Sequence, residues 1–205
     1  MVVVKDLGQV IILNGTPRSG KSSIANVIQD TFEGLWMNLG VDAFKEHVHP
    51  KCANPGIGLR PGGEAPDLEP LVEKLYAGMY EAIRVHSRLG LNVVVDVGHH
   101  DSYSKSLGIL HSCAKRLDGY PVVFVGVRCP VEVIMERRRQ TWNADWNPGD
   151  PIPQPIQRWQ EEVHRHGIYD FEVDTSTMDP TECAEAILKY LTDGPLPTAF
   201  DKLAE

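Results

Sequence analysis

The stretch "IILNGTPRSGKSSI", residues 11–24, decides the fold of this 205-residue chain. An apolar, β-branched run leads into Gly15, and four loop residues separate that glycine from Gly20-Lys21-Ser22. This spacing fits G-x-x-x-x-G-K-[ST], the P-loop, and the amphipathic segment that follows supplies the helix that the pattern requires. Glycines let backbone N–H groups turn inward, and the positive end of the helix faces the same space. The stretch therefore predicts a strand, a phosphate-binding loop and a helix in succession.

The side chains of this loop have expected roles. Lys21 would reach the β- and γ-phosphates of a nucleotide, and the Ser22 hydroxyl would ligate Mg²⁺. We therefore expect ATP and Mg²⁺ as cofactors; the alternative is a glycine-rich turn that binds nothing. The expected nucleotide-binding residues of the loop are Gly15, Thr16, Pro17, Arg18, Ser19, Gly20, Lys21, Ser22 and Ser23.

The composition is that of a globular protein, with 42% hydrophobic and 23% charged residues. The net charge of -8 argues against nucleic acid or an anionic membrane as a partner, because phosphates would meet mostly like charge. A small polar substrate is compatible with this charge. No apolar run is long enough to cross a bilayer, and the start "MVVVKDLGQV" lacks the architecture of a signal peptide. We expect a cytoplasmic protein, and a homo-oligomer is compatible with the sequence.

Apolar, β-branched segments alternate with helix-like segments, which is the pattern of a parallel sheet covered by helices on both faces. Strands are predicted at 9–14, 35–40, 92–97, 121–127 and 169–174. Helices are predicted at about 20–31, 68–88, 103–117, 130–141 and 180–192. The sequence thus predicts an α/β fold with a five-stranded parallel sheet, in a single domain over residues 1–194 with a frayed tail at 195–205.

Two segments rich in proline, glycine or tryptophan interrupt this alternation, at 49–70 and at 141–159. Long irregular segments in a compact domain are often lids or binding loops. The second segment carries Trp142, Trp146 and Trp159, which would be costly to leave in water. We interpret 141–159 as a lid and 49–70 as a loop on the acceptor side, with packing of the tryptophans onto the domain surface as an equally good alternative.

Two aspartates follow predicted strands. Asp96, in "NVVVDV", lies where the third strand emerges beside the phosphate loop, so that it could contact Mg²⁺ through water or cap the next turn. Asp42, in "LGVDAF", follows the second strand and could accept the proton of an acceptor hydroxyl or act as a helix N-cap. Both alternatives stay open from the pattern alone.

The sequence has no Asn-Lys-x-Asp element of the kind that reads guanine, and the chain is short for a motor or transport ATPase. A small-molecule kinase fits better, and such an enzyme needs arginines to neutralise charge on the transferred group. Arg137, Arg138 and Arg139 end a predicted helix directly before the lid. Successive helical residues point 100° apart, so at most two of the three can face the site.

Cysteines and histidines give no metal pattern. Cys52, Cys113, Cys129 and Cys183 form no C-x-x-C pair, so neither zinc nor a disulfide framework is indicated. The stretches "GHHD" at 98–101 and "VHRH" at 163–166 lack zinc spacing. We expect His99 and His100 to have supporting roles at the sheet edge or to contact the substrate.

The chain as a whole resembles the chloramphenicol 3-O-phosphotransferase family of P-loop small-molecule kinases. The resemblance rests on "ILNGTPRSGKSSI", "LGVDAF", "VVVDV", "VGVRCP" with an arginine eight residues after its cysteine, and "VHRHGIYDFEVDTS" with "ECAEAI". It covers about residues 9–192 and implies a shikimate-kinase-like fold, ATP with Mg²⁺, and phosphorylation of a hydroxyl on a small molecule.

The resemblance also implies residue roles. Asp42 would be the base that activates the acceptor hydroxyl, and Lys21, Ser22 and Arg137 would handle the phosphates. The remaining matches are Arg128, in "VRC", and Asp174 and Thr175, which would lie beside the adenine. Catalysis is thus expected from Asp42, Lys21 and Arg137, and metal binding from Ser22 and Asp96.

This sequence departs from the family in the parts that bind the acceptor. Thr141 stands where the known antibiotic-modifying member has a second lid arginine, Val97 replaces a second acid, and the 49–70 loop is dissimilar. Chloramphenicol is therefore one acceptor among other hydroxylated antibiotics or metabolites. Two alternatives remain: a kinase of a central metabolite, such as a sugar acid or a nucleoside, and a non-catalytic ATP-sensing module.

Overall fold

A five-stranded parallel sheet forms the centre of the molecule, in a computed structural model that describes residues 7–46 and 60–205. The strand order is β2-β3-β1-β4-β5, and each neighbouring pair is parallel. All five residues of β1 are buried, which explains why its sequence is unbroken apolar up to its last residue. The predicted α/β fold is confirmed. The strands are β1 Val10–Asn14, β2 Trp36–Asn38, β3 Asn92–Val97, β4 Val122–Arg128 and β5 Phe171–Asp174.

Helices cover both faces of the sheet. One face packs against α3, α4 and α8 through a core that includes Tyr80, Ile83 and Phe200, and the other packs against α1 and α7 through Ile28 and Ile187. The helices of the described ranges are α1 Lys21–Thr31, α2 Val41–Glu46, α3 Glu69–Arg88, α4 Ile109–Arg116, α5 Val131–Trp142, α6 Gln154–Glu162, α7 Pro180–Asp193 and α8 Ala199–Ala204. A short 3₁₀ turn, Pro66–Leu68, precedes α3.

The helix predicted from 103 begins six residues later, at Ile109. The Asp101 carboxylate accepts the backbone N–H groups of Leu107 and Gly108, both at 2.9 Å, and holds the preceding segment as a loop. Gly108 then enters the helix with φ 59°, a left-handed conformation that glycine adopts readily. Side-chain bonding to the backbone therefore overrides helix propensity here.

The C-terminal tail is not frayed, contrary to expectation. α8 lies within 195–205, and Ala199 and Phe200 are buried against the core of the sheet. Asp170 anchors the start of this helix, because its Oδ1 accepts the N–H groups of Thr198 at 2.7 Å and Ala199 at 2.8 Å. Burial of an aromatic side chain is sufficient reason for the tail to pack.

The predicted lid is partly helical. α5 continues to Trp142, and α6 begins at Gln154 with Pro155 in its first turn, where proline is tolerated. Of the predicted acceptor-side loop, 49–59 lie outside the described residues, as does Cys52. No helix in the described ranges is both long enough and apolar enough to cross a membrane.

Candidate active site

The phosphate loop connects β1 to α1 at the carboxyl edge of the sheet. Arg18 has φ 71° and Gly20 has φ 100°, so the loop uses two left-handed residues to turn into the helix. A Cβ on Gly15 would lie 2.6 Å from Val127 O and 2.8 Å from Ser19 Oγ. Glycine at position 15 thus lets the loop pack directly on β4.

Lys21 is folded back over this loop. Its Nζ donates to Gly15 O at 2.9 Å and to Thr16 O at 2.7 Å, and the side chain is buried. Burial lowers the pKa of Lys21 to about 8, while Asp96 and Asp42 act in the opposite direction. A buried ammonium with two carbonyl partners is well suited to bind an anionic phosphate.

Ser22 and Asp96 meet at the start of α1. The register of β1 and β3 pairs Leu13 with Asp96, and the Ser22 hydroxyl donates to Asp96 Oδ2 at 2.7 Å. The Asp96 carboxylate therefore faces the phosphate loop instead of capping the turn that follows β3. Hydroxyl and carboxylate oxygens are the ligands that Mg²⁺ prefers, so this pair fits that ion.

Gly40 makes room for this arrangement and was missed by the sequence analysis. A Cβ at Gly40 would lie 1.6 Å from Asp96 Oδ1, so any side chain there would displace the carboxylate. Within the described part of the chain, no group of three or more His, Cys, Asp or Glu could hold a metal ion. Two protein ligands match Mg²⁺, which usually keeps several waters.

Asp42 lies in the first turn of α2, exposed, and lines the same cavity as Lys21. The first hydrogen bond of this helix runs from Phe44 N to Gly40 O at 2.9 Å, so Asp42 is inside the helix and is not its N-cap. The N-cap alternative is therefore wrong, and the carboxylate is available to the cavity.

The three successive arginines of α5 have different environments. Arg137 donates to Thr175 O at 2.7 Å, Thr175 Oγ1 at 3.0 Å and Arg18 O at 3.2 Å, and so links α5 to the phosphate loop and to the segment after β5. Arg138 lies over the Trp142 ring, with Cζ 4.6 Å from the ring centroid. Arg139 forms two hydrogen bonds with Glu136 on the exposed face. Helix geometry thus directs Arg137 and Arg138 to the cavity and Arg139 to solvent.

Of the three tryptophans in the predicted lid, one packs into the domain and two line the cavity. Trp146 is buried and donates to Asp150 O at 3.2 Å, which is a packing role. Trp142 and Trp159 line the cavity. Trp142 stays half exposed and is flanked by Arg138 and by Arg18, whose Cζ is 4.2 Å from the ring centroid.

The family resemblance implies nucleotide-binding residues at the ends of β4 and β5, and these residues differ in whether they line the cavity. Arg128 pairs with Glu172 at 2.7 Å and is not among the residues that line the cavity. Asp174 Oδ1 accepts from the N and Oγ of Ser176, which lowers the pKa of its carboxyl. Thr175 lines the cavity and donates to Ser19 O at 2.7 Å.

A buried polar network supports the phosphate loop from below. Asn14 ends β1; its Oδ1 accepts from His99 N at 2.7 Å, and its Nδ2 donates to Val163 O at 3.0 Å and to Tyr169 Oη at 2.8 Å. The only sign of this network in the sequence is Asn14 itself, a polar residue at the end of an apolar strand. His99 bonds Tyr80 Oη at 2.7 Å, and burial lowers its pKa to about 3, so the ring is neutral. His99 is thus a supporting residue.

These elements enclose a cavity of about 1500 Å³ at the carboxyl edge of the sheet. Its walls come from the phosphate loop, α2, the end of β3, α5, α6 and the segment after β5. Thr16, Ser19, Arg128 and Asp174 are the expected site residues that do not line it. The expected residues that do line it are Gly15, Pro17, Arg18, Gly20, Lys21, Ser22, Ser23, Asp42, Asp96, Arg137 and Thr175.

The fold and this cavity define a P-loop kinase. Solved structures share the fold: the adenylyl-sulfate (APS) kinase of Mycobacterium tuberculosis in complex with AMPPNP and APS has a TM-score of 0.62 at 13% identity, covering 90% of this chain and 98% of that one. Shikimate kinase from Acinetobacter baumannii in complex with shikimate has a TM-score of 0.59 at 13% identity, covering 93% and 97%. The tunicamycin resistance protein of Deinococcus radiodurans has a TM-score of 0.59 at 19% identity, covering 93% and 98%.

The chain belongs to the chloramphenicol phosphotransferase-like protein family, whose model matches residues 8–192. It is 27% identical over 214 residues to a Mycobacterium tuberculosis protein named "Putative O-phosphotransferase", covering 96% of this chain and 88% of that protein. The chain is therefore an ATP-dependent O-phosphotransferase with a small-molecule acceptor. An enzyme, rather than a non-catalytic ATP-sensing module, is what the family and the fold show.

Proposed function

We propose that this enzyme transfers the γ-phosphoryl group of ATP to a hydroxyl of an acceptor held between Asp42 and the helices α5 and α6. The observation that carries the proposal is that Asp42, Lys21 and the Ser22–Asp96 pair all line one cavity. A base, a phosphate-binding ammonium and two hard oxygen ligands are the parts that phosphoryl transfer needs.

Asp42 is the residue that receives the proton of the acceptor hydroxyl. The oxygen of that hydroxyl forms a bond to the γ-phosphorus while the bond from phosphorus to the β–γ bridging oxygen breaks, and ADP leaves with the electron pair. Because this transition state is loose, holding the hydroxyl in line contributes more than strong basicity. An exposed carboxylate in the first turn of α2 meets that requirement.

Lys21 and the backbone N–H groups of the loop would bind the β- and γ-phosphates and stabilise charge on the leaving oxygen. Ser22 would ligate Mg²⁺ directly, and Asp96 would hold it through water. When bound, the ion would neutralise charge on the phosphates. Arg137 would position the loop through its bonds to Arg18 O and Thr175.

Antibiotic modification is the role that the family name suggests, with chloramphenicol or another hydroxylated antibiotic as acceptor. The cavity favours an acceptor with an apolar part, because Tyr76, Ile156 and Trp159 line it. A kinase of a central metabolite uses the same machinery and differs only in the acceptor.

The test is ADP release from ATP and Mg²⁺ across a panel of hydroxylated antibiotics and metabolites. The Asp42→Asn variant should bind ATP normally and lose at least about 100-fold in kcat, the range for removal of a general base. Asp30→Asn is the matched control, since Asp30 is an exposed carboxylate on α1 outside the cavity. Full activity in Asp42→Asn would show that the carboxylate has no part in transfer.

A further inference from the structure

The cavity contains arginines with no carboxylate partner. Arg18, Arg60 and Arg138 line it, and among the described residues none of the three forms an ion pair. Burial lowers the pKa of Arg138, and the charges of Arg60 and Arg18 lower it further, so both of these guanidinium groups lie within electrostatic reach of Arg138. Asp145, Asp179 and Glu182 also line this cavity, but none of them pairs with these arginines, which leaves the three guanidinium groups able to bind an anionic ligand.

Three of the residues that line the cavity each have a buried hydrogen-bond donor without a partner. Arg18 Nε, Arg138 Nε and Trp159 Nε1 are buried without a hydrogen-bond partner among the described residues. All three are donors, and none can accept a hydrogen bond. The terminal nitrogens of the Arg18 and Arg138 guanidinium groups are likewise donors only, so these two cavity-lining residues suit a ligand that presents acceptor oxygens.

ATP accounts for only part of this cluster. The triphosphate of ATP would be held by Lys21, by the N–H groups of the loop and by neighbouring Arg18. Arg60 enters the cavity from a different direction, since the turn that carries it lies on the segment after β3. Gly62 N donates to Ser102 O at 2.6 Å, and a Cβ on Gly63 would lie 2.6 Å from Ser104 N.

The turn that carries Arg60 also contacts α6. A Cβ on Gly62 would lie 2.1 Å from Arg158 Nη1, so a second guanidinium packs against this turn. Trp159, the next residue of α6, lies over Gly98 at the end of β3. Arg60 itself is exposed and lines the cavity on the side of this turn, where the acceptor would lie.

We propose that the acceptor carries an anionic group, a carboxylate, sulfate or phosphate, which Arg60 and Arg138 bind while its hydroxyl faces Asp42. This rests on the proposed phosphotransfer and names the class of its acceptor. A neutral compound of the same shape leaves the two guanidinium groups without an anionic partner and binds more weakly. The charge on the acceptor, and not only its shape, then sets specificity.

The experiment compares matched pairs, each a hydroxylated carboxylic acid and its methyl ester, such as mandelate and methyl mandelate. Ligand-observed NMR measures their binding to the protein saturated with AMPPNP and Mg²⁺. At least one acid should bind about tenfold more tightly than its ester, and Arg60→Gln should remove that preference while AMPPNP affinity stays within about twofold. Arg139→Gln is the control, because Arg139 pairs with Glu136 on the exposed face.

Three results would overturn the proposal: no acid binds more tightly than its ester, the preference survives in Arg60→Gln, or Arg60→Gln weakens AMPPNP instead. Binding and ADP release are scored separately. An acid preference without ADP release from ATP and Mg²⁺ keeps the anionic site and rejects that acid as the phosphate acceptor. ADP release with a neutral compound and no charge preference keeps the reaction and rejects the site.

Discussion

The Ser22 hydroxyl donates a 2.7 Å hydrogen bond to Asp96 Oδ2 across 74 residues of sequence. The bond joins the first turn of α1 to the end of β3, and parallel pairing of β1 with β3 makes it geometrically possible. It places a hydroxyl and a carboxylate where Mg²⁺ would meet the nucleotide.

Asp96→Asn should weaken Mg²⁺ binding more than ATP binding. Loss of the carboxylate removes a charge from the ion's surroundings and leaves the Lys21 contacts intact. We expect the Mg²⁺ concentration for half-maximal ADP release to rise by about 10–100-fold. Titration of Mg²⁺ at saturating ATP measures this, with Asp30→Asn alongside; an unchanged Mg²⁺ requirement would contradict the metal role.

Gly40→Ala should have the same effect as a change at Asp96 without altering a charged group. The new Cβ would overlap Asp96 Oδ1, so the carboxylate must turn away from Ser22. Activity should fall about tenfold or more, with a raised Mg²⁺ requirement.

Gly78→Ala is the matched control for that change. Gly78 lies in α3, and the nearest atom to its built Cβ is 3.7 Å away. Alanine there should leave activity unchanged and raise stability by about 0.5–1 kcal/mol, as expected in a helix interior. If both variants kept full activity, the steric argument for Gly40 would be wrong.

Nucleotide affinity should fall as the pH rises through about 8, the pKa of Lys21 in the free protein. Below that pH the ammonium is charged and attracts the phosphates; above it the free protein loses the proton that the complex retains. The dissociation constant of AMPPNP should therefore rise by up to about tenfold per pH unit above the pKa. Fluorescence titration between about pH 6 and 10 measures it, and Lys21→Met should bind weakly with a flat profile.

Arg137→Ala and Arg139→Ala should differ in stability and in the KM for ATP, although the two residues are close together on α5. Arg137 holds Thr175 and Arg18 O, so its loss should destabilise the protein by roughly 2 kcal/mol and raise the KM for ATP. Arg139 has only an exposed pair with Glu136, and its loss should leave stability almost unchanged. Urea denaturation and ATP kinetics of both variants decide; equal effects would contradict the assignment.

Part of the site could be predicted from the sequence because the residues that form it belong to short, continuous motifs. Lys21 and Ser22 follow Gly20 in one local pattern, and β3 is a valine run that ends in Asp96. Gly40 gave no such signal, because its importance depends on a carboxylate 56 residues away that β-sheet pairing brings against it. The role implied for Arg128 stays a prediction, since its side chain pairs with Glu172 in this structure and does not line the cavity.

Local patterns were enough to predict the phosphate loop, the alternation of strands and helices, and the two aspartates that follow strands. Such features depend on backbone geometry and hydrophobic pattern within a few residues. Only the tertiary structure decided that Asp96 contacts Ser22, that Arg60 shares a cavity with Arg138, and that the C-terminal segment covers the core. Those contacts depend on strand register and on the packing of segments far apart in the chain, which no local pattern encodes.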